Sequence, residues 1–265
     1  MPVPGDLAAA IETNVSELLM AMGRAGGGTQ RVEEEITWTV GGSPIGYHNA
    51  VVRCAAPDAG RARTLVDEWI AELRDRRLPG SWHHTPSMRP GELADTLLAA
   101  GLEDGGEEPA MAADLGVDPA PTAVADHLEL RPVEDDEGLD AYRRVLGDGF
   151  GEGPKEADWV ASIYASIGLG SDAPWRHYIA IHDGEPVCTA SLFLTPGVAG
   201  IYFVSTRPAF RRRGFGAAMT RHVMVEAAGL GAAVGILGSS PMGQGVYERL
   251  GFREVFRYRL FEWGG

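Results

Sequence analysis

The stretch Val204-Ser205-Thr206-Arg-Pro-Ala-Phe-Arg211-Arg212-Arg213-Gly214-Phe215-Gly216-Ala217 sets three consecutive arginines and two glycines between an apolar strand pattern and a helical one. Exposed N–H groups at a helix N-terminus, together with the helix dipole, favour an anion. Glycines let a phosphate approach the main chain with no Cβ in the way. Arginines add charge-assisted hydrogen bonds. The combination reads as a pyrophosphate cradle built from Arg211, Arg212, Arg213, Gly214, Phe215, Gly216 and Ala217. A dinucleotide fold fits poorly, because Met219 stands where G-x-G-x-x-G wants its third glycine and no acidic residue follows at the ribose position. A P-loop would need Gly-Lys-Ser/Thr, which is absent. Taken alone, the loop is also compatible with a solvated arginine turn.

A second stretch lies 31 residues further on, counted from Gly216 to Tyr247: Ser240-Pro-Met-Gly243-Gln-Gly-Val-Tyr247-Glu-Arg-Leu-Gly251-Phe252. Arg-x-x-Gly-x-Gly after an apolar strand resembles the acyl-CoA loop of the GNAT (Gcn5-related) N-acetyltransferase family. The second stretch resembles that family's Asn-x-x-Ala-x-x-x-Tyr segment followed by Gly-Phe, with Ser240 at the usual Asn position and Gly243 at the usual Ala position. The resemblance covers about residues 128–265.

The resemblance implies an acetyl-CoA-dependent N-acetyltransferase acting by direct attack of a primary amine, carried by a small molecule or peptide. The pantetheine arm would lie between strand Phe203–Thr206 and its neighbour Ala233–Leu237, touching Val204, Ser205, Thr206 and Ser240, with main-chain N–H groups near Val204 polarising the thioester carbonyl. Tyr247 would be the general acid, since a phenol near pKa 10 can return a proton to a thiolate near 8.5. Tyr202, Ser205, His182 and Glu152 are imaginable bases, and none is assigned. The acceptor would meet the region Phe150–Trp159, where Glu152, Asp158 and Trp159 suit a cationic amine with an apolar part. Two other readings stay open: a non-catalytic acyl-CoA sensor, which Ser240 in place of Asn favours, and a transferase of longer acyl groups.

The elements that must position these residues read as a mixed α+β sheet flanked by helices. Leu128–Val133 is a strand, helices follow around Glu137–Leu146 and Ala157–Ile167, and Trp175–His182 and Pro186–Leu194 form a hairpin on Asp183-Gly184. Then come strand Gly200–Thr206, a helix over 216–228, strand Ala233–Leu237, helix Gln244–Leu250 and strand Glu254–Phe261. In the first half, Leu7–Met22, Ala62–Arg76 and Leu93–Ala100 read as helices, and Glu33–Val40 and His48–Cys54 as strands. Gly105–Asp126 is rich in Gly, Glu, Ala and Pro, and Pro119-Ala-Pro121 within it is the linker candidate, which places the boundary near 116–126 and gives residues 1–118, a linker over 119–127, and residues 128–265. The first half can be laid on the second. Its cradle is reduced to Pro57-Asp58-Ala59-Gly60, and Leu97 takes the position of the general acid. It reads as a degenerate copy of the same fold, which makes the chain a tandem.

The chain has 265 residues, 45% hydrophobic and 23% charged, with a net charge of −14. Such a composition suits a globular protein and opposes nucleic acid or an anionic membrane as a partner. Residues 205–265 hold nine arginines and four glutamates, which is +5, while the remaining 204 residues carry 14 basic and 33 acidic groups, which is −19. The cationic segment carries the cradle. Cys54 and Cys188 are too few for a disulfide framework, and no metal cluster is expected, so two thiols in a reducing cytoplasm are. The uncharged runs 186–206 and 227–247 are broken by Gly and Pro, and no secretory signal opens the chain. A homodimer is left open.

Overall fold

The computed structural model describes residues 5–117, 127–170, 173 and 175–264. The chain forms two compact units that are not contiguous along it: one is 1–14 with 109–255, the other 15–108 with 256–265. The chain passes from one to the other within helix α1 (Leu7–Ala25) and within strands β5 (Glu103–Asp114) and β11 (Arg253–Trp263). The expected division fell instead at 119–127, of which 119–126 lie outside the described residues.

The larger unit contains β6 (Leu128–Pro132), α4 (Asp136–Gly149), α5 (Pro154–Ile167), β7 (Trp175–His182), β8 (Glu185–Thr195), β9 (Val198–Thr206), α6 (Phe215–Gly229), β10 (Val234–Gly238) and α7 (Gln244–Arg249). Strands lie in the order β5-β10-β9-β8-β7-β6. Only β10 and β9 pair in parallel; the other neighbours are antiparallel. The tight turn between β7 and β8 forms as its sequence requires, with Asp183 and Gly184 both at positive φ. Strand alternation then sorts the two faces. Cys188, Ala190 and Leu192 of β8 pack in the core with Phe215, Met219 and Val223 of α6. Ser191, between them, points to the opposite face, where its hydroxyl meets Tyr142 of α4 at 2.8 Å, Tyr164 of α5 at 3.1 Å and His177 of β7 at 2.9 Å. That buried polar hub pins α4 and α5 to the sheet, and burial holds His177 neutral, lowering its pKa to about 3.

The smaller unit contains β1 (Thr29–Val32), β2 (Ile36–Val40), β3 (Ala50–Cys54), α2 (Ala59–Arg76), β4 (Gly80–His84) and α3 (Leu93–Ala99). Its sheet runs β1-β2-β3-β4-β11. Its core gathers Trp38, Leu65, Trp69, Trp82, Leu97 and Phe261. The resemblance between the halves is topological: β3 and β4 are parallel, as β9 and β10 are. Each parallel pair is completed by the last strand of the other half. β5 runs antiparallel beside β10, from Val234↔Asp114 to Gly238↔Ala110. β11 runs antiparallel beside β4, from Arg259↔His84 to Trp263↔Gly80.

Strand β5 was not among the expected elements. Residues 105–114 belong to the stretch rich in Gly, Glu, Ala and Pro, yet they lie in a strand whose Ala110, Met111, Ala112 and Ala113 are buried. Small apolar residues tolerated beside β10 decide this, not intrinsic propensity. Strand β1, short and polar, was not expected either. Among the described residues no helix is long and apolar enough to cross a membrane.

Candidate functional site

The parallel pairing of β9 and β10 is short. It covers Val198↔Val234, Ala199↔Gly235 and Gly200↔Ile236, and beyond Gly200 the register ends. The rest of β9 is bent by a bulge. Thr189 pairs with Ser205 and Ser191 with Tyr202, so Phe203 and Val204 have no register partner of their own on β8. Phe203 sits at φ +51, a costly conformation for a non-glycine residue. Its carbonyl accepts the Thr189 hydroxyl at 3.0 Å, and its ring packs on Phe150 and Tyr164. Two parallel strands therefore part, leaving a wedge with the strained bulge on one wall.

Thr206 lies further along that wall, where its hydroxyl donates to the Cys188 sulfur at 3.3 Å. Cys188 is fully buried, and burial pushes its thiol up to about 12, so it stays a neutral packing group rather than a nucleophile. Tyr247 on α7 stands on the same face, half-buried, with its ring 6.0 Å from that of Phe252. A methyl on Gly243 would come within 2.8 Å of the Tyr247 ring, so the glycine at this position gives the ring its seat. Burial, and secondarily Cys188, push the Tyr247 phenol up to about 12.

The loop after β9 is a 3-10 turn, Pro208–Phe210, leading to the start of α6. Arg212 (φ +62) and Gly214 (φ +83) are both left-handed, and Gly214 caps α6 with no side-chain bond. The first helical hydrogen bond runs from Ala218 N to the Gly214 carbonyl, so the N–H groups of Phe215, Gly216 and Ala217 precede the helical ladder. A methyl on Gly216 would stand 3.5 Å from the Thr206 hydroxyl, so this helix end adjoins the mouth of the wedge. This surface presents main-chain donors at a helix N-terminus.

The side chains divide differently from the motif. Gly216 lies beside the Thr206 hydroxyl, and Val204 and Tyr247 pack against the same core cluster. The Arg211 guanidinium is occupied by protein carbonyls: Nε donates to Thr206 O at 3.1 Å and Nη2 to Gly149 O at 2.9 Å. It ties the end of β9 to the end of α4. Arg213 lies over the Phe210 ring at 5.4 Å, while Arg212 is exposed. Phe215 is a core residue. Ser205 turns to the α4 face, where its buried hydroxyl has no hydrogen-bond partner among the described residues. Ser240 is exposed, and its carbonyl accepts from Gly243 N and Gln244 N.

None of the four imaginable bases is placed for the role. The Tyr202 hydroxyl donates a hydrogen bond to Asn14 Oδ1 at 2.6 Å, and Glu152 is exposed and paired with Lys155 at 3.2 Å. His182 leans on the Phe215 ring and pairs with Asp183. Asp158 is exposed beside Arg143. Sequence reasoning missed Thr189, Gly149 and Asn14. Gly149 carried a signal in hindsight, since it belongs to a run of alternating glycines: a methyl there would press to 2.8 Å from both the Ser205 hydroxyl and the Thr206 carbonyl.

The corresponding gap in the smaller unit is closed. Register between β3 and β4 covers Ala50↔Ser81 and Val51↔Trp82; beyond it, the chain lays its own backbone beside β3 through an Ala55↔Arg89 bridge. Arg89 N donates to Cys54 O at 3.1 Å, and the Cys54 thiol to Arg89 O at 3.2 Å. The N-terminus of α2 is capped by Asp58, whose Oδ1 accepts from Arg61 N at 2.9 Å. A carboxylate thus stands where a phosphate would have to sit. Leu97 is buried in the core.

Residues 173–254 match the model of the acetyltransferase (GNAT) domain. Among solved structures, the chain is similar to a GCN5-related N-acetyltransferase from Kribbella flavida, with 20% identity over 99% of this chain and 97% of that one and a TM-score of 0.75. It is similar to a GCN5-related N-acetyltransferase from Sphaerobacter thermophilus, with 19% identity over 78% and 69% and a TM-score of 0.63. A tandem GNAT protein from the clavulanic acid biosynthesis pathway shares 16% identity over 90% and 79%, with a TM-score of 0.59. No curated protein matches the chain.

Proposed function

We propose that this chain, whose residues 173–254 match the model of the acetyltransferase (GNAT) domain, is an acetyl-CoA-dependent N-acetyltransferase for a primary amine of a small molecule or peptide. The observation that carries the reading is the wedge between β9 and β10, with the bulge on one wall, Tyr247 beside it and the uncapped start of α6 at its mouth. Acetyl-CoA supplies the activated acyl group as a thioester. The main chain near Val204, freed from the ladder by the bulge, provides donors for the thioester oxygen as charge builds on it. The amides of Arg212 to Ala217 take the pyrophosphate, and the +5 charge of residues 205–265 favours its approach. Direct attack by the amine fits a cleft without a reactive thiol, since Cys188 is buried and neutral. Tyr247 keeps its proton until the thiolate departs. Catalysis then rests mainly on holding amine and thioester together.

Thiol release from acetyl-CoA, followed against a panel of amines, aminoglycosides and peptides, tests this reading. The expected result is release that depends on at least one amine. CoA binding with no release from any amine would assign the chain to the acyl-CoA sensors instead, and faster release from longer acyl-CoA thioesters would change the acyl group.

A further inference from the structure

The place where β9 leaves β10 is fixed from the face opposite Tyr247, by a residue far away in the chain. Asn14 lies on the part of α1 that packs with residues 109–255 rather than with the rest of the N-terminal half. It is fully buried. Its Oδ1 accepts the Tyr202 hydroxyl at 2.6 Å, and its Nδ2 donates to the Thr195 hydroxyl at 2.9 Å and to the Phe193 carbonyl at 3.4 Å. The amide and the phenol meet over Gly200, where any methyl would collide with Asn14 Oδ1 and the Tyr202 ring. Gly200 is the last residue of β9 in register with β10, and Tyr202 immediately precedes the strained Phe203.

Parallel strands with free ladder groups gain by pairing further, so a wedge that stays open needs one strand held elsewhere. We propose that Asn14 is a positioning residue of the acyl-CoA cleft: its bond to the Tyr202 hydroxyl, anchored on the β8–β9 hairpin, holds β9 where it parts from β10 and so sets the width of the cleft. The inference rests on the acyl-CoA reading above. It gives the chain's first helix a part in the site of the C-terminal half. Burial raises the Tyr202 pKa, which keeps the phenol a neutral donor to Asn14 and removes it from the general bases.

Acetyl-CoA is the probe. It is titrated calorimetrically into the full-length wild type, Asn14→Ala, Tyr202→Phe, the double variant and Ile11→Val, with melting temperatures recorded alongside. Asn14→Ala and Tyr202→Phe each weaken acetyl-CoA by about tenfold, and the double variant is no weaker than the poorer single one, because both remove the same bond. Ile11→Val thins the buried face of the same helix; it lowers the melting temperature and leaves affinity within about twofold. If Asn14→Ala does not fold, Tyr202→Phe still decides, since its ring keeps the packing and only the hydroxyl is lost. Wild-type binding that Tyr202→Phe matches within about twofold, or losses that add in the double variant, would overturn the clamp and leave the acyl-CoA reading intact. Absence of binding by the wild type overturns that reading, and the clamp with it.

Discussion

Residues 128–265 expressed without the preceding half fail to fold as a soluble domain, and residues 1–117 supplied as a separate chain restore them. The reason lies in the pairing. The parallel strand β10 has β5 as its second neighbour through five registered residues, Val234 to Gly238 against Asp114 to Ala110. β5 and its continuation also bring Met111, Ala113 and Leu115 into the core that holds Phe215, Met219 and Phe252. Losing two large buried apolar side chains costs about 2–5 kcal/mol each, against a whole-domain stability of about 5–15 kcal/mol. In the same fragment, β11 would lose its partner β4 and expose Phe261, which is otherwise fully buried in the smaller unit. An unpaired apolar edge invites aggregation. Size-exclusion chromatography and thermal melting by circular dichroism check this. A fragment 128–265 that is monomeric and melts within about 5 °C of the full chain would show that the exchanged strands are dispensable.

Tyr247→Phe lowers the rate of amine-dependent thiol release by about a hundredfold and leaves KM for acetyl-CoA within about twofold. The substitution keeps the ring, and with it the contact to Phe252 and the seat over Gly243, so only the proton is removed. The pH profile carries a second signature. A general acid acts while protonated, and its contribution is lost as pH rises through its pKa, which burial pushes up to about 12 here. The wild type therefore shows no descending limb between about pH 7 and pH 10, and its rising limb reports the acceptor amine losing its proton. A wild-type profile that falls with a midpoint near about 9, or a Tyr247→Phe variant with undiminished turnover, would remove Tyr247 as the acid.

Much of this architecture was legible because its signals are local. Asp183-Gly184 supplies the two positive-φ residues that a tight hairpin needs, and the helix after Gly214 follows directly on the glycine that opens it. The wedge was legible only through the resemblance, because where two strands part depends on a bulge at Phe203 that no run of side chains announces. β5 was hidden by its glycines, glutamates and proline, whose composition outweighed a short run of small apolar residues. The exchange of β5 and β11 is a choice among strand partners far apart in the chain, which periodicity does not encode. At the site, the motif reads Arg211 as part of the pyrophosphate cradle, and in the structure its guanidinium donates to the carbonyls of Thr206 and Gly149, two acceptors that the local sequence does not point to. Asn14 lies in an ordinary amphipathic helix, and nothing in its neighbours points 188 residues ahead to Tyr202.

Calorimetric titration of CoA and acetyl-CoA into the full chain tests the central claim most directly. The wedge between β9 and β10 is open, whereas the equivalent gap beside β3 is filled by Arg89 and the start of α2 is capped by Asp58. The expected result is one site per chain for both ligands, mutually competitive, with a Kd of about 1–100 μM. No heat of binding at about 1 mM ligand would contradict the acyl-CoA cleft, and two equivalent sites per chain would contradict the closure of the N-terminal copy.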